Sequence, residues 1–309
     1  MSVANRKALW QIHFCVLLWG FTAILGKLIS LSALALVWWR MALVTAALLL
    51  APKVWRGLRA LPPRLFMAYA GIGALVSLHW LTFYGAIKLA NASVAVSCIA
   101  LAPVFLALVE PRIAGRAVAP RELWLGAAVV PGVVLVVGGV PRGMWLGIAV
   151  GTLSALLVAI FGALNKRLID RADPLTVTCV ELGAGTIFLT ALAPLLTGTL
   201  PFLTLPGARD SLWLLILAWV CTLLPFALAL VALRQLSAFS TQLAVNLEPV
   251  YTILLAILLL GEQHQLRPRF YLGVLIILLA VFAEPVLARR RSRPVAELLA
   301  TAEPKRVAD

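Results

Sequence analysis

Polar side chains inside the long apolar runs of this sequence are few. They are Arg40, His79, Asn165, Glu181, Gln242, Asn246 and Glu248, with Ser97 near Pro103. Polar and ionisable groups at such positions are costly and mark pathways, relays or structural pairs. An enzyme built from them would need HExxH for a metal, paired aspartates, or a serine matched to a histidine. The three histidines, His13, His79 and His264, are far apart and none has an HExxH context. The four cysteines, Cys15, Cys98, Cys179 and Cys221, lie singly in apolar runs without a CxxC spacing, as buried small hydrophobes do. The chain therefore reads as a non-enzyme that needs no cofactor and no metal. What these residues can do is recognise. Trp80 adjoins His79, and Phe83 is one turn further on, so this turn offers ring surface and one hydrogen bond. A lone histidine is more often a satisfied interhelical bond, and both readings stand at this point.

The elements that carry these residues follow from composition. The chain is 63% hydrophobic and only 12% charged, more apolar surface than one globular core could hide. Spanning helices need about 20 mostly apolar residues. Ten such runs are predicted, at roughly 8–30, 33–52, 64–87, 92–110, 122–140, 144–165, 174–196, 211–233, 239–260 and 268–288. The basic start is followed by an apolar run too long for a signal peptide, so it reads as a first span that stays.

The formal charge of +14 falls between the spans. With the N-terminus inside, one side collects Arg6, Lys7, Lys53, Arg56, Arg59, Arg64, Arg112, Arg116, Arg121, Lys166, Arg167, Arg171, Arg234 and the tail from Arg289. The other collects Lys27, Lys88, Arg142, Arg209, Arg267 and Arg269. This asymmetry predicts both termini in the cytoplasm. It accounts for the basic balance without nucleic acid. The tail over 289–309 is expected to be a solvated end near anionic lipid.

The chain also repeats. LAPVF at Leu101 and LEPVY at Leu247 stand 146 residues apart, and Ala86, Lys88, Leu108, Gly115 and Arg121 fall on Ala232, Arg234, Leu254, Gly261 and Arg267 at the same shift. Arg40 and Glu181 are images at a shift of 141. A repeat unit of five spans re-enters the membrane from the opposite side, which predicts inverted copies over 1–140 and 141–288. Proline inside a helix releases a carbonyl one turn back. Pro103 would free that of Ile99 and Pro249 that of Val245. The pair would act as hinges, or as static packing kinks.

At this point the residues resemble a known family. Ten spans in an inverted five-plus-five repeat, with "ALAPVFLALVE" beside "NLEPVYTILLAILLLGE", "LLWGFTAILGK", and "WWRMA" around Arg40, are similar to the EamA-type drug/metabolite transporter superfamily. Gly115-Arg116 departs from the family's usual Gly-Glu. The chain looks most like the aromatic amino-acid exporter branch. The resemblance implies an all-α integral membrane protein, a basket-like bundle with a central cavity. Spans one to four and six to nine would line it, with the fifth and tenth to the side. It implies export across the bacterial inner membrane by alternating access. It also makes Arg40 structural, and Glu181, its repeat image, is grouped with it as a structural polar residue.

The expected substrate-binding residues are Trp19, His79, Trp80, Phe83, Ser97, Asn165 and Asn246. Among ten tryptophans most fall at span ends, where aromatic belts form, but Trp19 and Trp219 are near mid-span. Few fixed charges and much ring surface suit a small amphiphile such as an aromatic amino acid or methionine. Drug-like organic cations and other metabolites are the nearest alternative, and a channel is a further one. The partners expected are a small-molecule substrate and lipid. The sequence leaves the oligomeric state open, and a monomer is compatible with it.

Overall fold

The computed structural model describes residues 3–115, 120–168, 171–225, 228, 247–280 and 282–283. Gln242, Asn246 and the basic tail lie outside them. All regular structure among the described residues is helical. The helices are α1 (Val3–Leu28), α2 (Ala33–Leu49), α3 (Pro52–Ala60), α4 (Pro63–Leu89), α5 (Ala92–Ile99), α6 (Ala102–Ala114), α7 (Pro120–Gly139), α8 (Trp145–Leu168), α9 (Pro174–Thr197), α10 (Ala208–Leu215), α11 (Glu248–Leu260) and α12 (Pro268–Ala280). A π turn, Ile216–Leu223, continues α10.

Five stretches among the described residues are long and apolar enough to cross a membrane, one of them Ala92–Ile113, which takes in α5 and most of α6; they are six if α2 and α3 count as one bent span. Ala128–Gly139, Glu248–Leu260 and Pro268–Ala280 are shorter apolar helices. The exterior fits a bilayer, since Ile187, Leu195 and Leu258 are more than two-thirds exposed.

Two elements differ from the sequence reading. The second span was expected to run to residue 52. Instead α2 stops at Leu49, and α3 leaves it at 93°. Pro52 starts α3, and the residue before a proline is pushed out of the helical region, so Ala51 is extended. Lys53, Arg56 and Arg59 then lie on a short helix with only Val54 buried, a composition suited to a membrane surface. The fourth span was expected as one helix kinked at Pro103. It remains one candidate span, Ala92–Ile113, but its helix is interrupted at Ala100–Leu101, just before Pro103, which divides it into α5 and α6. Pro103 is the second residue of α6, where a missing N–H leaves no ladder bond unmade. Pro249 holds the same place in α11.

Caps account for some of the other boundaries. The Ser32, Asn91 and Asp173 side chains accept from the first-turn N–H groups of α2, α5 and α9. α6 and α11 end on the left-handed glycines Gly115 and Gly261, at φ 71° and 65°. α4 packs against α8 and α9, and α2 against α9. α1 lies on α11, and α5 on α8 and α11. α7 and α12 meet at Gly132 and Gly273. A Cβ at Gly132 would lie 2.8 Å from the Gly273 carbonyl oxygen, and one at Gly273 would lie 2.6 Å from that of Gly132. Gly73 on α4 is held as tightly against the Glu181 carbonyl of α9. Small residues at these crossings let backbones approach, as helix packing in lipid favours.

Candidate functional site: an aromatic and acidic cavity

The helices enclose a cavity of about 220 Å³. That is below the 300–1,000 Å³ of drug-sized pockets. Several helices each turn one face to it. α4 supplies Val76, His79, Trp80 and Phe83, at i, i+3, i+4 and i+7. α8 supplies Val158, Phe161 and Asn165, and α9 supplies Thr178, Glu181 and Leu182 at the same helical spacing. Trp19 and Thr22 come from α1, Arg40 from α2, Ile99 from the end of α5, Thr222 from the π turn and Glu248 from the start of α11. α7 and α12 supply none of the described lining.

Arg40 is buried and tied in three ways. Its Nε donates to Thr222 Oγ1 at 2.9 Å, and its Nη1 donates to Tyr84 Oη at 2.8 Å. Its guanidinium lies 3.8 Å from the centroid of the Trp80 ring. The arginine thus joins α2, α4 and the π turn. It also covers one face of Trp80, which removes that face from any ring stacking with a ligand. The π turn places the threonine for this contact. Thr222 Oγ1 donates to the Leu217 carbonyl five residues back at 2.7 Å, and its oxygen accepts from Arg40.

His79 has a partner on one nitrogen. Nδ1 lies 3.0 Å from the Ser154 carbonyl oxygen, which only a protonated Nδ1 can satisfy. The Ser154 hydroxyl returns a bond to the His79 carbonyl at 2.8 Å. The interhelical role therefore exists, and it leaves Nε2 as an acceptor on a ring that lines the cavity. Phe83 stacks near this ring at 6.3 Å and Phe161 tilts against it at 5.4 Å.

The acidic side is less satisfied. Asn165 Nδ2 donates to Glu181 Oε2 at 3.4 Å, a long contact. Glu181 Oε1 and Asn165 Oδ1 are buried with no hydrogen-bond partner among the described residues. Such atoms are uncommon and call for an explanation.

Trp19, His79, Trp80, Phe83 and Asn165 all reach the cavity. Ser97 is buried, gives its hydroxyl to the Ser93 carbonyl at 2.7 Å and is not in the lining; Ile99 takes that place. Asn246 is outside the described residues. Trp219, expected near mid-span, is 47% exposed and turns outward. Glu181, grouped with the structural polar residues, lines the cavity. Phe161, Thr178, Thr222 and Glu248 join it without having been singled out as site residues. Phe161 stands one turn before Asn165, and Thr178 one turn before Glu181, so helical spacing from a known polar residue would have found both.

An all-helical bundle with an apolar exterior, built around a polar and aromatic cavity, defines a multi-pass membrane protein that handles small molecules. The EamA-like transporter family matches residues 6–138 and again 145–283. The chain belongs to this family, as a membrane transporter of small substrates whose two halves are copies of one unit. Among curated proteins none matches the chain. Among solved structures it is similar to one described as "Crystal structure of protein", with a TM-score of 0.60 and 17% identity over 92% of this chain and 98% of that one. At that identity the likeness shows the fold alone.

Proposed function

We propose that the chain is a secondary transporter that exports small amphiphilic metabolites across the bacterial inner membrane by alternating access, with aromatic amino acids as its foremost substrates. Methionine and similar apolar amino acids would share the route. In this reading ten spans form two inverted copies, over 1–140 and 141–288, with both termini cytoplasmic and Pro103 and Pro249 as paired hinges.

The observation that carries the reading is the two-sided character of one small cavity. Rings of Phe83, Phe161 and His79 cluster on α4 and α8, while Asn165, Glu181 and Glu248 bring acceptors. Arg40 uses two of its five N–H donors in the contacts above, and the remainder suit a carboxylate. A ring, an ammonium and a carboxylate fit those three environments. The cavity is too small for a nucleotide sugar and has one guanidinium where a phosphate would want several bases.

Two carboxylates against one guanidinium favour a second reading, export of amphiphilic organic cations. Purified protein in liposomes, assayed with labelled phenylalanine and tryptophan, decides between them. Saturable counterflow blocked by unlabelled tryptophan, phenylalanine and methionine, but not by aspartate, lysine or sugar phosphates, is the expected result. Block by organic cations alone would select the second reading, and non-saturable flux would point to a channel.

A further inference from the structure

Two oxygens beside the cavity, Glu181 Oε1 and Asn165 Oδ1, have no partner among the described residues and need a positive or donating group to complete them. Glu181 is 7% exposed, and its only hydrogen bond among the described residues is the 3.4 Å contact from Asn165. An ionised carboxylate in that state would cost several kcal/mol. The cations nearby do not relieve it. Arg40 is held by Thr222, Tyr84 and the Trp80 ring. No lysine lines the cavity among the described residues. Two occupants complete the carboxylate: a proton on its own oxygen, or an ammonium that donates to Glu181 Oε1 and Asn165 Oδ1 together. Both cannot be present at once, because the proton and the ammonium use the same oxygen.

We propose that Glu181, backed by Asn165, is an exchange site at which a proton and the ammonium end of the substrate alternate, so that the carrier runs as a proton–amine antiporter. The proposal rests on the transporter reading above and adds its energy source. In the exchange the carboxyl O–H bond breaks, and the proton leaves to water on the side the cavity faces. N–H···O bonds from the ammonium replace it, and one positive charge enters the site as one leaves. On the other face the ammonium departs and a proton returns. A proton gradient then drives amine flux in the opposite direction.

The elements packed against α9 bring Arg40 from α2 and His79 from α4 to this cavity, while α3 meets α9 through Gly57 and Thr176. Glu248 enters from α11. Glu248 is the other carboxylate, so the test must separate the two.

The experiment titrates purified protein in weak buffer with phenethylamine, phenylpropionate and phenylalanine. Binding is followed by tryptophan fluorescence and proton release by a pH indicator. Phenethylamine and phenylalanine should each release about one proton per molecule bound, since one carboxylate titrates, and phenylpropionate none. Phenethylamine should bind more tightly as pH rises, by up to about tenfold per pH unit while the site still holds its proton. Glu181→Gln should abolish proton release and flatten that dependence. It should also weaken amine binding by about 10- to 100-fold, the loss of a charge-assisted bond.

Amine binding to the wild-type protein without proton release overturns the proposal, and this measurement needs no variant to fold. Unchanged release in Glu181→Gln, or release lost only in Glu248→Gln, also overturns the assignment. Release with phenethylamine and no binding of phenylalanine supports the exchange site and removes the amino-acid reading. Phenylalanine binding with no proton movement does the reverse. Absence of binding by either amine overturns both.

Discussion

The two ends of the bundle are tied in different ways. At the end where α4 passes into α5 the ties are buried or partly buried and reach across the chain. Glu262, only 1% exposed, accepts from the backbone N–H groups of Ala92 and Ser93 at 2.9 and 2.8 Å. Asn91 donates to Gln265 at 3.1 Å. Asp210 accepts from the Ser30 backbone at 3.0 Å and from its hydroxyl at 2.5 Å, and Lys88 donates to the Ile29 carbonyl. At the other end the described ion pair is Lys53–Asp173, at 2.5 Å, with the lysine side chain 63% exposed. Arg112 and Arg167 there donate to the carbonyls of Leu108 and Ile113 from exposed positions. A carboxylate at a helix N-terminus, out of water and with its donors met, stabilises far more than a solvated pair.

The contrast has a sequence origin in the two copies. Each repeat helix ends on a left-handed glycine, Gly115 or Gly261. The residue after Gly261 is Glu262, which can accept backbone N–H bonds. The residue after Gly115 is Arg116, which cannot. One copy thus carries an anionic lock for a helix start, and the other carries a base at the matching position.

The sharpest way to break this comparison is Glu262→Ala. Two buried donors lose their acceptor, and unfolding of the protein in detergent micelles should become easier by about 2–4 kcal/mol. Arg116→Ala removes no acceptor and should shift the same transition much less. Equal shifts would end the claim that the ends differ. Next in size is Gly139→Ala, at the same end, where a Cβ would lie 2.5 Å from the Phe270 backbone nitrogen. The expected loss is about 1–3 kcal/mol, because backbone rather than a side chain must move. A neutral result would mean that α7 and α12 separate freely.

A pH titration of stability tests Asp210. Burial acts to raise its carboxyl, but the two bonds from Ser30, with Lys88 and Arg209 nearby, outweigh burial and hold it below the usual carboxylate value. Its contribution is therefore present above the unfolded carboxylate pKa of about 3.9 and fades as pH falls below that. Asp210→Asn should flatten the acid limb of the melting curve. An identical acid limb in wild type and variant would remove Asp210 from the set of ties. The smallest effect belongs to Lys53→Ala, at most about 0.5 kcal/mol and less in high salt, since the pair is solvated. A loss as large as that of Glu262→Ala would invert the comparison.

Much of this protein could be read from residue types. Membrane residence follows from apolar run length, because nothing but a bilayer absorbs that much apolar surface. The duplication follows from LAPVF and LEPVY at one spacing, and the family match falls twice along the chain as that duplication requires. The cavity faces of α4, α8 and α9 follow from helical spacing around His79, Asn165 and Glu181. Other features were decided only when helices met. Pro103 marked an interruption of its span, but only the fold decided that the helix lets go at Ala100–Leu101, leaving Pro103 in the first turn of α6. Trp219 turns outward and Trp80 inward, since a mid-span tryptophan satisfies either side and packing alone selects. Glu181 lies inside an apolar run and Glu262 at the polar end of one, and neither position says what the carboxylate will meet. Glu262 meets two N–H donors from α5 and is complete. Glu181 meets one distant amide and is not. That difference is a matter of what lies across a few ångströms of folded chain, which hydrophobic pattern and spacing along one strand of sequence do not encode.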